Sequence, residues 1–325
     1  MSARQGKGTV REKEDFDADA AAEILRNAMC GLGTSEEPII DVVDSHNNAQ
    51  RQDIAVAFKQ SYGKDLIEEL KSELGSNFEN TVVALMTPPR LYDAKELNKA
   101  IKGIGTDETA LVEIMCSRTN EELEEIKAVY QQEYEVALEE DLDCDTSGYF
   151  GRLMISLVTG GRDVDDTVND EDADTEAQEL YDAGAGCWGT EESKFNQILC
   201  RRNFNQLNRI FEVYEEKFGQ SVREAISSEF SGSVQDGYTA IVDIAENKPL
   251  FFAKRLDNAM RGIGTSDDDL IRLIVSRSEV DMEEIRTAYY YMQPEDDRRT
   301  LREAVASECS GDYKNMLLAL LNKDD

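Results

Sequence analysis

Met29-Cys-Gly-Leu-Gly-Thr34 is the first of four versions of one short stretch; the others are Ile101-Lys-Gly-Ile-Gly-Thr106, Gly186-Cys-Trp-Gly-Thr190 and Met260-Arg-Gly-Ile-Gly-Thr265. Each sets one apolar residue between small ones, then Thr, then an acidic cluster that opens a helical pattern. Glycine on both sides of Leu32, Ile104 and Ile263 permits a tight turn with φ > 0, in which several carbonyls can face one point. Converging carbonyls make half of a hard-cation site, and a carboxylate from elsewhere must make the other half. Forty residues past the last glycine of the first three stretches stand Glu73, Asp145 and Glu229. In the fourth, the residue in the same local context is Glu308, 44 residues past Gly264. Repeats preserve any spacing, so the distance alone says nothing about chemistry. The acidic endpoint in all four copies is what points to a cation.

The surroundings of the stretch repeat with it. Its Thr recurs at spacings of 72, 84 and 75 residues. In the first copy Ala21, Ile24, Leu25, Ala28 and Met29 form one apolar helix face leading into the loop. Thr34-Ser-Glu-Glu37 reads as a capping box with Pro38 in the first turn. Helical spacing then runs through Ile39–Val43, Ile54–Phe58, Leu66–Leu74 and Val82–Met86, broken at Asn47-Asn48, Tyr62-Gly63 and Gly75-Ser-Asn77. Connections this short pack helix on helix. Corners at Ser117-Arg118-Thr119, Cys200-Arg201-Arg202 and Ser276-Arg277-Ser278 repeat Ser45-His46-Asn47. The turns Asp145-Thr-Ser-Gly148, Glu229-Phe-Ser-Gly232 and Glu308-Cys-Ser-Gly311 repeat Glu73-Leu-Gly75.

Strand signals are almost absent, so the expected fold is all-α: four repeats of about 70 residues with five helices each, two plus two. The expected boundaries are an amino-terminal arm at 1–17, repeats at 18–88 and 89–160, an acidic connector at 161–173, and repeats at 174–247 and 248–325. The arm, with Arg4, Lys7, Arg11 and Lys13, is expected to be an extended tail, with partner docking as its alternative role.

The formal net charge is −33 over 325 residues. Such a field repels nucleic acid and also anionic lipid, so any phosphate-bearing surface must be reached through bridging cations. The six cysteines show neither a CxxC pair nor a framework spacing. With no apolar segment after Met1 and no apolar run of about 18 residues, free thiols in a reducing cytosol are expected. The single histidine, His46, excludes a His-rich metal centre, and no nucleophile motif or phosphate-binding loop is present, so no enzyme is expected. Asp141-Leu-Asp143-Cys-Asp145 imitates the start of an EF-hand, but Thr146 replaces the required glycine and Arg152 the bidentate glutamate.

Together the loops, the corners and the acidic turns resemble the annexin family, over essentially the whole chain from residue 18. The resemblance implies a curved disc of four five-helix repeats, with calcium loops on the convex face and the arm on the other. It implies calcium held by the carbonyls of Met29, Gly31 and Gly33 with the Glu73 carboxylate, and by those of Ile101, Gly103 and Gly105 with Asp145. In the irregular third loop the set is Gly184, Cys187 and Gly189 with Glu229; in the fourth it is Met260, Gly262 and Gly264 with Glu308. Leu32, Ile104, Trp188 and Ile263 become loop tips facing headgroups, where an amphipathic Trp is suited. Asp93, Glu96, Arg118 and Arg272 match the family's polar centre and are expected to be paired structural charges. His46 stands where the other corners carry Arg. About four extra residues near Met292-Gln-Pro-Glu-Asp-Asp297 precede Glu308; a longer loop leaves that acid in place and a shifted helix removes it.

The expectation is a cytoplasmic protein, peripheral on membranes when calcium rises, that binds acidic phospholipid such as phosphatidylserine and links or organises membrane surfaces. It is expected to be a monomer in solution, with self-association on membranes left open. The competing reading is a helical-repeat scaffold that binds protein partners without calcium.

Overall fold

The computed structural model describes residues 6–31, 33–186, 190–262 and 264–321. Among them every regular element is helical. The first repeat sets the plan. Helix α1 (Ala18–Ala28) starts where the Asp17 side chain accepts the Ala20 N–H, and it buries Ala21, Ala22, Leu25 and Ala28. Helix α2 (Glu36–Asp44) buries Ile39, Ile40, Val42 and Val43. Helix α3 (Asn48–Tyr62) opens on a reciprocal Asn47–Gln50 capping box and stops at Gly63, whose φ of 68° ends the helix in the left-handed region. Helices α4 (Leu66–Glu73) and α5 (Ser76–Met86) complete the unit.

The second repeat comprises α6 (Pro89–Lys102), α7 (Glu108–Ser117), α8 (Asn120–Tyr134), α9 (Leu138–Asp145) and α10 (Gly148–Val158). The third runs through α11 (Asp170–Ala183), α12 (Glu192–Arg201), α13 (Phe204–Phe218) and α14 (Val222–Glu229) into α15 (Gly232–Met260). That last stretch is two helices joined at Asn247, where φ is −160° and ψ 88°. The Asn247 side chain accepts the Leu250 N–H at 3.0 Å and so caps the second one, with Pro249 in its first turn. The fourth repeat continues with α16 (Asp267–Arg277), α17 (Met282–Tyr291), a 3₁₀ turn (Glu295–Asp297), α18 (Leu301–Glu308) and α19 (Gly311–Leu320).

The chain forms two compact units, one of Met1–Tyr92 with Phe252–Asp325 and one of Asp93–Phe251. In the first, α19 packs on α2 and α5, and α5 also packs on α16, so repeats one and four share a core that includes Leu25, Ile39, Phe58, Leu317 and Leu320. In the second, α10 packs on α7, α9 and α12. There Phe195 and Tyr238 each meet the Phe230 ring edge-on at 5.0 Å. The acidic residues read as a connector lie within this second unit, where the Asp163 N–H donates to the Arg201 carbonyl.

The arm is no passive tail from residue 6 onward. Lys7 bonds through its N–H to Glu284 at 2.9 Å, and its carbonyl accepts from the Glu283 N–H at 3.0 Å. Buried Val10 donates to the Ser278 carbonyl at 3.0 Å, and the Gln50 amide both donates to and accepts from the Lys13 backbone. A Cβ at Gly8 would stand 2.5 Å from the Glu279 backbone, so the strap lies too close there for any other residue.

The corners are anchored differently from one another. Arg118 meets Asp93 at 2.7 and 3.0 Å with both side chains buried, and at the fourth corner Arg277 pairs with Asp281 at 2.7 Å; Arg272, farther back on α16, pairs with Asp269 at 2.7 Å. In the third corner the anchoring residue is Arg202, which follows the end of α12 and pairs with Glu176 at 2.7 Å, one residue later than the sequence alignment placed it. His46 makes no such pair; its Nδ1 lies 2.7 Å from the Val42 carbonyl and its ring meets Phe16 edge-on.

Candidate cation loops

Each loop joins the helix entering it to the next one and is closed by one backbone bond. Ser35 donates to the Ala28 carbonyl at 2.9 Å, Asp107 to Ala100 at 2.9 Å and Ser266 to Ala259 at 2.8 Å. These three span equal lengths. The third closes from Glu191 to Ala183 at 2.7 Å and is one residue longer. The extra length is taken up by Gly184-Ala-Gly186, where the N–H groups of both glycines turn back to the Tyr181 carbonyl.

The glycines do what their spacing promises. Gly31 and Gly33 adopt φ of 122° and 91°, Gly105 78°, and Gly262 and Gly264 110° and 94°. Gly103 is required for a different reason, since a Cβ there would lie 2.9 Å from the Lys99 carbonyl. Met29, Ile101 and Met260 are buried and anchor the loop entrances, whereas the described glycines between them are exposed. Ile104 stands fully in solvent, at 111% of its reference exposure. Leu32, Cys187, Trp188, Gly189 and Ile263 lie outside the described residues.

All four acids occupy one structural position. Glu73, Asp145, Glu229 and Glu308 are each the last residue of an eight-residue helix, α4, α9, α14 and α18. The extra residues of repeat four are absorbed before α18, in the segment containing the 3₁₀ turn, so Glu308 keeps its place at the helix end.

Loop and acid meet through the threonine. Thr34 Oγ1 donates to Glu73 Oε2 at 3.1 Å, Thr106 to Asp145 Oδ2 at 2.7 Å and Thr190 to Glu229 Oε2 at 2.7 Å. A Cβ on Gly184 would come within 3.3 Å of Glu229 Cγ, which places the start of the third loop against its acid as well. In repeat four, among the described residues, Glu308 has a 3.5 Å contact from Ser307 and no bond from Thr265. The threonine is the residue that links loop to acid, a part the sequence reading did not assign to it. Thr34 reads as part of a capping box, but Ser35 is the N-cap, it makes no side-chain cap bond, and Thr34 reaches the acid. The available signal was Thr next to the last glycine in every copy, with an acid 39 residues later in the first three and 43 later in the fourth.

Among the described residues no three His, Cys, Asp or Glu side chains group to hold a metal. The loops offer a cation main-chain oxygens beside one carboxylate. This donor set suits a hard ion of irregular coordination such as calcium and suits zinc poorly. Glu73 also lines an open cleft of about 370 Å³ with Glu36, Ser76, Asn77, Ser310 and Asp312. No described helix is long and apolar enough to cross a membrane.

Known proteins share this architecture. The family model described as Annexin matches four times, over residues 20–85, 92–157, 175–241 and 251–320. The chain is 47% identical over 317 residues to annexin A7 of Homo sapiens, in a match covering 98% of this chain and 64% of that protein's length. Among solved structures, annexin III aligns with a TM-score of 0.96 at 40% identity over 100% of both chains. A calcium-bound annexin (Sm)1 aligns with a TM-score of 0.87 at 30% identity, over 98% of this chain and 94% of that one.

Proposed function

The chain belongs to the annexin family, and from that premise we propose that it binds acidic phospholipid membranes when calcium is present, linking or organising their surfaces without catalysis. The observation that carries this reading is the bond from loop threonine to distant acid in three repeats, which brings a carboxylate to a turn rich in outward-facing backbone. The calcium-bound state of annexin (Sm)1, a relative of the same fold, supports it.

In this reading the carbonyls of Met29, Gly31 and Gly33 hold calcium with Glu73, and those of Ile101, Gly103 and Gly105 with Asp145. Gly184, Cys187 and Gly189 act with Glu229, and Met260, Gly262 and Gly264 with Glu308. Bound calcium supplies positive charge and open coordination positions for lipid phosphate oxygens. The chain does the rest. Its glycine turns orient the carbonyls, the threonine keeps the acid beside the loop, and exposed Ile104 offers apolar surface to the headgroup boundary. One carboxylate per loop makes binding weak without lipid and stronger with it. A protein of net charge −33 is otherwise repelled by an anionic bilayer, and that repulsion keeps it off the membrane at low calcium. The annexin A7 match covers 64% of that protein, so whatever the remainder of A7 does is not carried over.

Co-sedimentation with phosphatidylserine vesicles across a calcium titration, with a chelator control, tests the proposal. Pelleting that needs calcium and reverses on chelation is expected. Glu73→Gln, Asp145→Asn, Glu229→Gln and Glu308→Gln should each move the midpoint to higher calcium, and all four together should abolish pelleting. Pelleting that ignores the chelator, or none at millimolar calcium, would leave the protein-binding scaffold as the better account.

A further inference from the structure

The residue after each loop's opening carbonyl is not the same in the four repeats. It is Cys30 in the first, Lys102 in the second and Arg261 in the fourth. A cation beside a calcium loop is at first sight a poor choice, because like charges repel. In both repeats that carry one, a carboxylate from the interior meets it. Lys102 Nζ lies 2.7 Å from Asp141 Oδ1, and Arg261 Nε lies 2.5 Å from Asp257 Oδ2. The bases are half or more exposed while the acids are nearly buried, at 9% and 11% side-chain exposure. Each acid is then held from behind by a tyrosine: Tyr130 donates to Asp141 at 2.7 Å and Tyr289 to Asp257 at 3.3 Å. Asn98 in turn donates to the Tyr130 oxygen at 3.0 Å. Burial opposes ionisation of Asp141, yet the Lys102 and Tyr130 bonds hold its pKa below the ordinary carboxylate range.

The two acids come from different elements. Asp141 sits on α9, four residues before Asp145, whereas Asp257 sits on the helix entering the fourth loop. Asn98 stands in repeat two where Asp257 stands in repeat four, and Ala304 in repeat four where Asp141 stands in repeat two. One contact is thus built twice from exchanged positions. Repeat one has neither end of it, with Cys30 in place of the base and Phe58 in place of the tyrosine, twelve residues past the corner in each case.

We propose that Lys102 and Arg261 are positioning residues that brace the loops of repeats two and four through a buried carboxylate and a tyrosine hydroxyl, so that these two loops take up calcium ahead of the loop of repeat one. The inference rests on the calcium reading above. A glycine-rich turn has many conformations, and apparent affinity falls with the fraction of time it spends outside the binding one. Tying its second residue to the interior restricts that motion, and the acid also cancels the charge that would oppose the ion.

The test uses the full chain carrying Glu73→Gln, Glu229→Gln and Glu308→Gln, leaving only the acid of repeat two, with terbium luminescence and calcium competition read without lipid. Tyr130→Phe, which changes no charge, and Asp141→Asn should each raise half-saturation by about ten-fold, the usual cost of losing an outer-shell partner. Lys102→Arg should keep the parent value. A tyrosine with a merely structural role would lower the melting temperature and leave half-saturation alone, which overturns the proposal. Unchanged terbium and calcium binding in Lys102→Met, accompanied by weaker vesicle binding, would also overturn it by making Lys102 a direct phosphate contact. A parent with no saturable signal would sink the calcium reading itself, and this inference with it.

Discussion

In repeat two the corner after α7 is closed by a permanent charge, with Arg118 spread across both oxygens of Asp93. In repeat one the same corner carries neutral His46 against the Val42 carbonyl. Repeat one makes up the difference from outside itself. Its buried Arg51 reaches Glu279 of repeat four at 2.9 Å, Glu279 also accepts the Asn48 N–H, and Gln50 and His46 receive the amino-terminal strap through Lys13 and Phe16. Repeats with one backbone plan therefore differ in where their fastening comes from. The ion pair that closes the repeat-two corner is internal to that repeat, and Lys248 adds a bond to the Ser117 carbonyl at 2.6 Å. Repeat one is secured by its neighbour and by the strap.

The largest effect that could break this contrast is loss of the internal pair. Arg118→Met removes the guanidinium from a pair in which both side chains are about 5% exposed or less. Breaking a buried pair from one side costs about 3–5 kcal/mol, and urea unfolding should show it. Arg51→Met should cost less, about 2–3 kcal/mol, because Glu279 is partly solvated and the loss falls mainly on the Val43 and Leu85 carbonyls that Arg51 satisfies. If Arg51→Met proved the more damaging, borrowed fastening would be the stronger kind and the comparison would be inverted.

Next in size is a dependence on pH that only repeat one should show. Burial lowers the His46 pKa below its ordinary 6.5; the Val42 carbonyl works against that, and Lys13 and Arg51 add to it. The sign follows from linkage. With the folded pKa below the unfolded one, the unfolded chain binds more protons in the window just under pH 6.5, so stability is full above it and declines as pH falls. Melting temperature should drop on acidification from pH 7 to 5.5, and His46→Gln should flatten that part of the profile. Arg118 at the matching corner does not titrate there. An unchanged slope in His46→Gln would move the acid sensitivity to the carboxylates.

These contrasts also show what could be read from the residues alone. Helix order, loops and acids were legible because they rest on local chemistry: glycine pairs that bend the chain, and helices whose caps fix their length. Glu308 could be matched across an altered spacing because Ser-Gly follows it as it follows Asp145 and Glu229 after one intervening residue. The Arg202 corner was misplaced by one because Arg201 and Arg202 are chemically identical and only the end of α12 distinguishes them. The strap was illegible because its bonds run through backbone to Ser278 and Glu283, more than 260 residues away in sequence. The braces of Lys102 and Arg261 were hidden for a related reason, since their acids sit at different places in the repeat.

The smallest effect concerns the residue that follows each acidic turn. Gly148, Gly232 and Gly311 begin their helices at φ of 62°, 63° and 62°, and Ser76 holds the same place at 55°. In repeat one the glycine falls one position early, at Gly75, where φ is −153° and any residue would serve. A side chain in the left-handed region costs about 1–2 kcal/mol, and glycine gives back about 0.5–1 kcal/mol of that through its freer unfolded chain. Ser76→Gly should therefore stabilise by no more than about 1 kcal/mol, and Gly148→Ala should destabilise by a similar amount. Nothing lies within 4 Å of a Cβ built on Gly148, so the second effect is backbone strain without a clash. Ser76 lines the cleft beside Glu73, which makes the paired calcium titration decisive. Strain that is only an accident of register leaves the vesicle-binding midpoint of Ser76→Gly where it was. A midpoint that shifts together with the gain in stability would mean repeat one holds its acid in place by that strain, and the contrast with repeat two would extend from the corners to the site itself.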